Sequence, residues 1–205
     1  MGELGILLSI VMGLTCVGAA EKWLHTRRLL RIPHRIHVNG TRGKSSVTRL
    51  IAAGLRNAGV RTLAKTTGTL PRLILPSSRE IPIYRRGRPN VLEQLRVVAT
   101  ACTQGVDALV VECMALQPQL QWLCESKIVR STHGVITNIR PDHLDVMGPD
   151  ESDVARALAG TVPIGGSFVS AETKYRDFLS DVAHDRGTQI TWVSPTVFRR
   201  LIPKF

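Results

Sequence analysis

Aromatic side chains are scarce in this 205-residue chain, at 4% of positions, which argues against a surface that stacks nucleobases. Its cysteines (Cys16, Cys102, Cys113 and Cys124) form no C-x-x-C pair and no metal-ligand spacing, so they read as reduced cytosolic thiols without a function. Internal repeats and low-complexity tracts are absent. Acidic groups are outnumbered, 16 against 27 Lys and Arg, for a formal net charge of +11. Such a field points to an anionic partner: phosphate, lipid headgroup, nucleic acid or an acidic polymer. No nucleic-acid motif accompanies the charge, so no nucleic-acid partner is expected. The 43% of hydrophobic residues suits a globular protein, and the length gives one ordinary domain plus an appendage.

Charge of either sign is missing from residues 4–20. As a helix this run measures about 25 Å, near the lower limit for crossing a bilayer core. Trp23 is placed to sit at the interface and Lys22 to snorkel. A cleaved signal peptide has a basic leader, whereas this chain begins Met1-Gly2-Glu3. The cations come afterwards, at Lys22, Arg27, Arg28, Arg31 and Arg35, which by the positive-inside rule puts the following domain in the cytoplasm. The expectation is a single-pass cell-membrane anchor over residues 1–24, a basic linker over 25–34 that touches anionic membrane lipid, and a domain over 35–205. The competing reading of the apolar run is a buried core helix.

Apolar runs at residues 35–39, 60–64, 108–112, 134–138, 167–170 and 189–193 predict strands. Helical spacing from Val47 to Leu55, and near residues 90–105, 153–161 and 173–186, predicts helices between most of them. Asn90 to Glu93 has the form of a capping box. The proline- and arginine-rich residues 71–89 read as a long exposed loop. Strand–helix alternation predicts an α/β fold: a mostly parallel sheet with helices on both faces, preceded by one transmembrane helix. Ligands bind such sheets at the carboxyl ends of strands, where residues 40–45, Glu112 and residues 138–145 would meet.

Gly40-Thr41-Arg42-Gly43-Lys44-Ser45 follows a strand and opens an amphipathic helix, the context a phosphate-binding loop requires. Lys44 would reach the β- and γ-phosphates of ATP, and Ser45 would help hold Mg²⁺. The full Walker pattern wants glycine at position 38, where Val38 stands. The shorter form resembles the loop of Mur ligases and folylpolyglutamate synthetases. Thr137-Asn138-Ile139-Arg140-Pro141-Asp142-His143-Leu144-Asp145 is similar to a second signature of that superfamily. The resemblance implies that Gly40, Thr41, Arg42, Gly43, Lys44, Ser45, Ser46 and Asn138 bind nucleotide. It implies further that Glu112 and His143 ligate magnesium with Ser45, and that Lys44, Glu112 and His143 serve catalysis. Asp142 and Asp145 stay open between partners of His143 and loop caps.

A narrower resemblance is carried by residues 65–69 (KTTGT), 89–94, 112–115 (ECMA) and 142–149, together with the leading anchor. These resemble the ligase subunits of poly-γ-glutamate synthases. That implies an ATP-dependent acid–amino-acid ligase, which activates a glutamate γ-carboxylate as acyl phosphate to build a capsule or exopolymer. Implied partners are glutamate, poly-γ-glutamate and small membrane subunits of the synthase, with homo-oligomerisation left open. Two departures stand out. Many Mur ligases have a carbamylated lysine about fifteen residues after the signature histidine, and residues 155–161 contain none. Family chains also continue well beyond this length, so the chain is expected to represent their N-terminal portion, with doubtful activity alone. Arg85, Arg86 and Arg88 are open between polyglutamate contacts and a solvated loop, and Thr66, Thr67 and Thr69 between a substrate channel and turn residues. The alternatives are a folylpolyglutamate-synthetase-like ligase and a non-catalytic P-loop ATP-binding membrane protein.

Overall fold

The computed structural model describes residues 2–68, 70–85, 87 and 89–193. Short runs of apolar residues form strands because both faces of a parallel sheet are covered. In β5 (Ala108–Glu112) and β2 (Thr62–Thr66) every residue is buried. With β1 (His34–Asn39), β6 (His133–Ile136), β7 (Ser167–Ser170) and β8 (Gln189–Trp192) they make a parallel array. Two short antiparallel strands, β3 (Arg72–Ile74) and β4 (Glu80–Pro82), extend one edge, giving the order β4-β3-β2-β5-β1-β6-β7-β8. This hairpin corrects the expectation of one long exposed loop across residues 71–89.

Alternation along the strands sends side chains to two helical layers. Ile36, Val38, Ala64 and Val110 pack with Val47, Ala52 and Ile51 of α2 (Lys44–Asn57). Leu63, Leu109 and Val111 face the other way, onto Val97, Val98 and Ala101 of α3 (Glu93–Thr103). A third cluster joins Ile136 and Phe168 to Val154 and Leu158 of α6 (Glu151–Ala159) and Leu179 of α7 (Arg176–Asp185). Between β5 and β6 the chain forms α4 (Pro118–Leu123), which runs into a π-helical turn at Cys124–Val129. The one-turn α5 (Leu144–Met147) follows β6.

The N-terminal helix α1 (Glu3–Leu30) is one continuous rod of 28 residues. No residue of its most apolar window is buried, so it is a candidate membrane span by length and composition. The hydroxyls of Ser9 and Thr15 donate to carbonyls four residues back, at 2.8 Å each, satisfying them within the helix as an apolar medium requires. The basic stretch expected to be a linker is helical through Leu30. Leu29 and Ile32 there are buried in the α3-side core.

Candidate nucleotide and metal site

The strand order reverses at β1, with β2 and β5 on one side and β6 to β8 on the other. Register pairs Val38 with Glu112 of β5 and Asn39 with Ile136 of β6. The loop leaving β1 therefore emerges between the ends of its two neighbours, the usual ligand position in an open α/β sheet. All three polar groups singled out by the sequence sit at this end.

Gly40 is held at φ 130°, and a Cβ there would lie 2.1 Å from Thr137 Oγ1. Only glycine fits. The segment after β6 then clamps the loop. Thr41 Oγ1 and the Arg42 N–H donate to Asn138 Oδ1 at 2.7 and 3.1 Å, and Asn138 Nδ2 donates to the Arg42 carbonyl at 3.0 Å. Thr137 Oγ1 donates to the same carbonyl at 2.7 Å. Asn138, expected to touch nucleotide, thus spends both ends of its amide on shaping the loop. Gly43, at φ 80°, turns the chain into α2, whose first turn has no side-chain cap and no acidic residue. Uncapped amides at a helix N-terminus, beside a lysine, suit a polyphosphate. Lys44 Nζ folds over the loop onto the carbonyls of Gly40 (2.6 Å) and Thr41 (3.3 Å).

Glu112 is 3% exposed. Its Oε2 accepts from Ser45 Oγ at 2.8 Å and from the Thr67 N–H at 2.6 Å, so two of the three expected magnesium ligands already touch. His143 opens α5 at φ 48° and is half exposed. Asp142 Oδ1 lies 3.3 Å from Arg42 Nη2 and 3.9 Å from His143 Nε2, linking the histidine segment to the loop. Among the described residues no three His, Cys, Asp or Glu side chains form a metal cage. Magnesium does not need one, since it keeps waters and takes oxygens from phosphate alongside one or two protein ligands.

Lys65 and Glu93 are the feature that sequence reasoning missed. Lys65 is fully buried, with Nζ 2.8 Å from Glu93 Oε1 and 3.5 Å from Met114 Sδ. Arg85 holds the same carboxylate through Nε at 2.7 Å and Nη2 at 3.1 Å. Burial pushes the Lys65 ammonium below its usual range. Burial alone would raise the Glu93 carboxyl, but hydrogen bonds from Arg85 and Lys65 hold it below the ordinary value. Glu93 is therefore not part of a capping box: Asn90 Oδ1 accepts from the Leu92 N–H, and the Glu93 carboxylate points elsewhere. Arg85 is likewise committed to Glu93 rather than open to a polymer. Arg86, Arg88 and Thr69 lie outside the described residues. Thr66 is buried with its hydroxyl unpartnered, and Thr67 acts through its amide on Glu112. A lysine directly after the apolar run at residues 60–64 was the available signal.

Comparison with known proteins accords with this geometry. Residues 38–162 match the Mur ligase middle domain. The chain belongs to the Mur ligase family. It is 43% identical over 175 residues to a capsule biosynthesis protein CapB of Bacillus anthracis, covering 84% of this chain and 38% of that protein. It is 38% identical over 176 residues to a PGA synthase CapB of Bacillus subtilis, covering 85% and 45%. Among solved structures, Escherichia coli FolC with ADP superposes with a TM-score of 0.59 at 19% identity, covering 84% of this chain and 46% of that one. A Yersinia pestis folylpolyglutamate synthase/dihydrofolate synthase gives 0.60 at 21%, covering 83% and 46%. These structures share the fold. The chain spans less than half the length of these two CapB relatives.

Proposed function

We propose that this chain is the ATP- and magnesium-binding part of a membrane-tethered amide ligase that extends poly-γ-glutamate through an acyl phosphate of a glutamate γ-carboxylate. The contact of Ser45 with Glu112 carries the reading, because it joins the phosphate loop to a buried carboxylate from the next strand. A loop hydroxyl facing a strand-end carboxylate is the pair that would hold Mg²⁺ beside a nucleotide. The two relatives named for capsule or PGA synthesis point to the same polymer.

The loop amides, the N-terminus of α2 and Lys44 bind and orient the polyphosphate, with Ser46 in the same first turn. Ser45, Glu112 and His143 would hold the metal. Bound ATP would supply the γ-phosphoryl group, and Mg²⁺ would supply positive charge where that group meets a carboxylate. Thr67 keeps Glu112 in place through its amide. The exposed α1 anchors the domain to the cytoplasmic face of the cell membrane, beside small membrane subunits of the synthase. Lys44→Ala should weaken Mg-ATP binding at least tenfold in titration. In a full-length ligase, Glu112→Gln and His143→Ala should cut glutamate-dependent ADP release at least a hundredfold while changing nucleotide affinity much less. Full rates in both variants would refute the ligase mechanism.

A further inference from the structure

At the opposite end of the sheet, where β6, β7 and β8 begin, a cleft of about 1150 Å³ opens beside α1. Its walls carry five cations: Lys22 of α1, Arg35, Lys127, Arg130 and Arg186. None has a carboxylate within 4 Å among the described residues. The one acidic residue in the wall, Glu125, is 3% exposed and already consumed. Its Oε2 meets His37 Nδ1 at 2.7 Å, and its Oε1 accepts from the Ser131 N–H and hydroxyl at 2.8 Å each. Among the described residues the cleft therefore keeps an excess of positive charge, and such a field favours an anion.

Two of the guanidinium groups are pre-oriented. Arg35 donates through Nε to the Arg130 carbonyl at 2.9 Å and through Nη1 to the carbonyls of Leu29 (3.1 Å) and Ile32 (2.6 Å). Arg186 donates through Nη1 to the carbonyls of Gly160 and Val162. Each keeps its second terminal nitrogen free among the described residues, and fixed guanidinium forks are matched to phosphate oxygens. In the same wall, the Ser126 hydroxyl is enclosed without a partner.

Position decides the occupant. Lys22, His25 and Thr26 of α1 line the cleft, and the uncharged run ends at Ala20. These residues lie about 3–9 Å beyond the apolar boundary along the helix. The polar layer of a bilayer leaflet is about 5–8 Å deep, so the mouth stands at headgroup level. We propose that this cleft binds the phosphate of an anionic phospholipid headgroup and so fixes how the domain sits on the membrane. The assignment rests on α1 being a membrane span, and it is independent of nucleotide chemistry at the other end of the sheet.

The test uses the full chain in a neutral detergent, titrated with soluble dihexanoylphosphatidylglycerol and followed by calorimetry. Saturable binding of one lipid per chain is expected, with dihexanoylphosphatidylcholine at least tenfold weaker. Arg130→Asn combined with Lys127→Gln should weaken it at least tenfold; asparagine tolerates the φ of 46° at position 130. Lys22→Gln, on exposed α1, is a second variant that leaves the domain core untouched, and should weaken it severalfold. Equal affinity for the neutral lipid, or unchanged affinity in both variants, overturns the proposal. So does displacement by inorganic phosphate or by tetra-γ-glutamate at concentrations equal to the lipid. The soluble lipid reaches the cleft whether or not α1 spans a bilayer. A silent lipid titration thus counts against the cleft, and failed Mg-ATP binding counts against the function proposed above.

Discussion

Gly40 and the Lys65–Glu93 pair are the residues on which the site's shape depends. At Gly40, steric contact with Thr137 and a φ of 130° both exclude a side chain. Gly40→Ala should cost about 3 kcal/mol of stability, from strain and from prising the loop off Asn138. Urea denaturation and an Mg-ATP titration, with affinity falling at least tenfold, check this. Lys65 is a charge in the core that, among the described residues, only Glu93 compensates by ion pairing. Removing one member of a buried pair leaves the other stranded, so Glu93→Gln should cost about 3 kcal/mol, and adding Lys65→Met should recover much of it. The pH dependence follows from the lowered carboxyl of Glu93. Its contribution is present above the ordinary glutamate range and is lost as pH falls through the depressed folded value. Acid denaturation of Glu93→Gln should accordingly show a shallower acid limb than that of the parent.

Among the elements, those built from continuous apolar runs were legible and those built from exceptions were not. The runs behind β5 and β7 locate those strands to the residue, and the other parallel strands are displaced by at most two residues at an end. The β3–β4 hairpin escaped because its strands are three residues long and bounded by Pro71, Pro76 and Pro82. Pro82 is tolerable only because β4 is the sheet edge. The π turn has no periodic signature at all, yet it brings Glu125 inward to His37. The site itself was readable as motifs at strand ends. Its supports were not, because Thr67 acts through its backbone and Glu93 acts across 28 residues of chain on Lys65. A helix cap shows the same contrast. The reciprocal box lies at Asp150 and Asp153 and opens α6, rather than at Asn90. Asp150→Ala should lower the urea midpoint of the chain and leave Mg-ATP affinity within twofold.

At the scale of the whole molecule the sheet separates two places, with the proposed nucleotide site at its carboxyl end and the basic cleft with α1 at its amino end. α1 spans two surroundings of its own. None of its first 20 residues is buried in the folded chain, whereas Leu29, with Ile32 just beyond, completes the core around Leu63, Val98 and Leu109. The carbonyls of both also accept from Arg35, and His25 Nε2 contacts the Ile128 carbonyl at 2.8 Å. Membrane tether and domain stability should therefore separate at a definite point along the helix. A chain lacking residues 1–24 should leave the membrane fraction and keep a cooperative thermal transition. A chain lacking residues 1–32 also loses two buried aliphatic side chains and two of the three carbonyls that accept from the Arg35 side chain. At about 2–5 kcal/mol for each large buried aliphatic, the loss from the two is about 4–10 kcal/mol, comparable to the whole stability of a small domain. That second truncation should show no cooperative melt by circular dichroism. If it melts like the first, the C-terminal turns of α1 are an attachment rather than part of the core. If the first remains in the membrane fraction, something other than the apolar run holds the domain there.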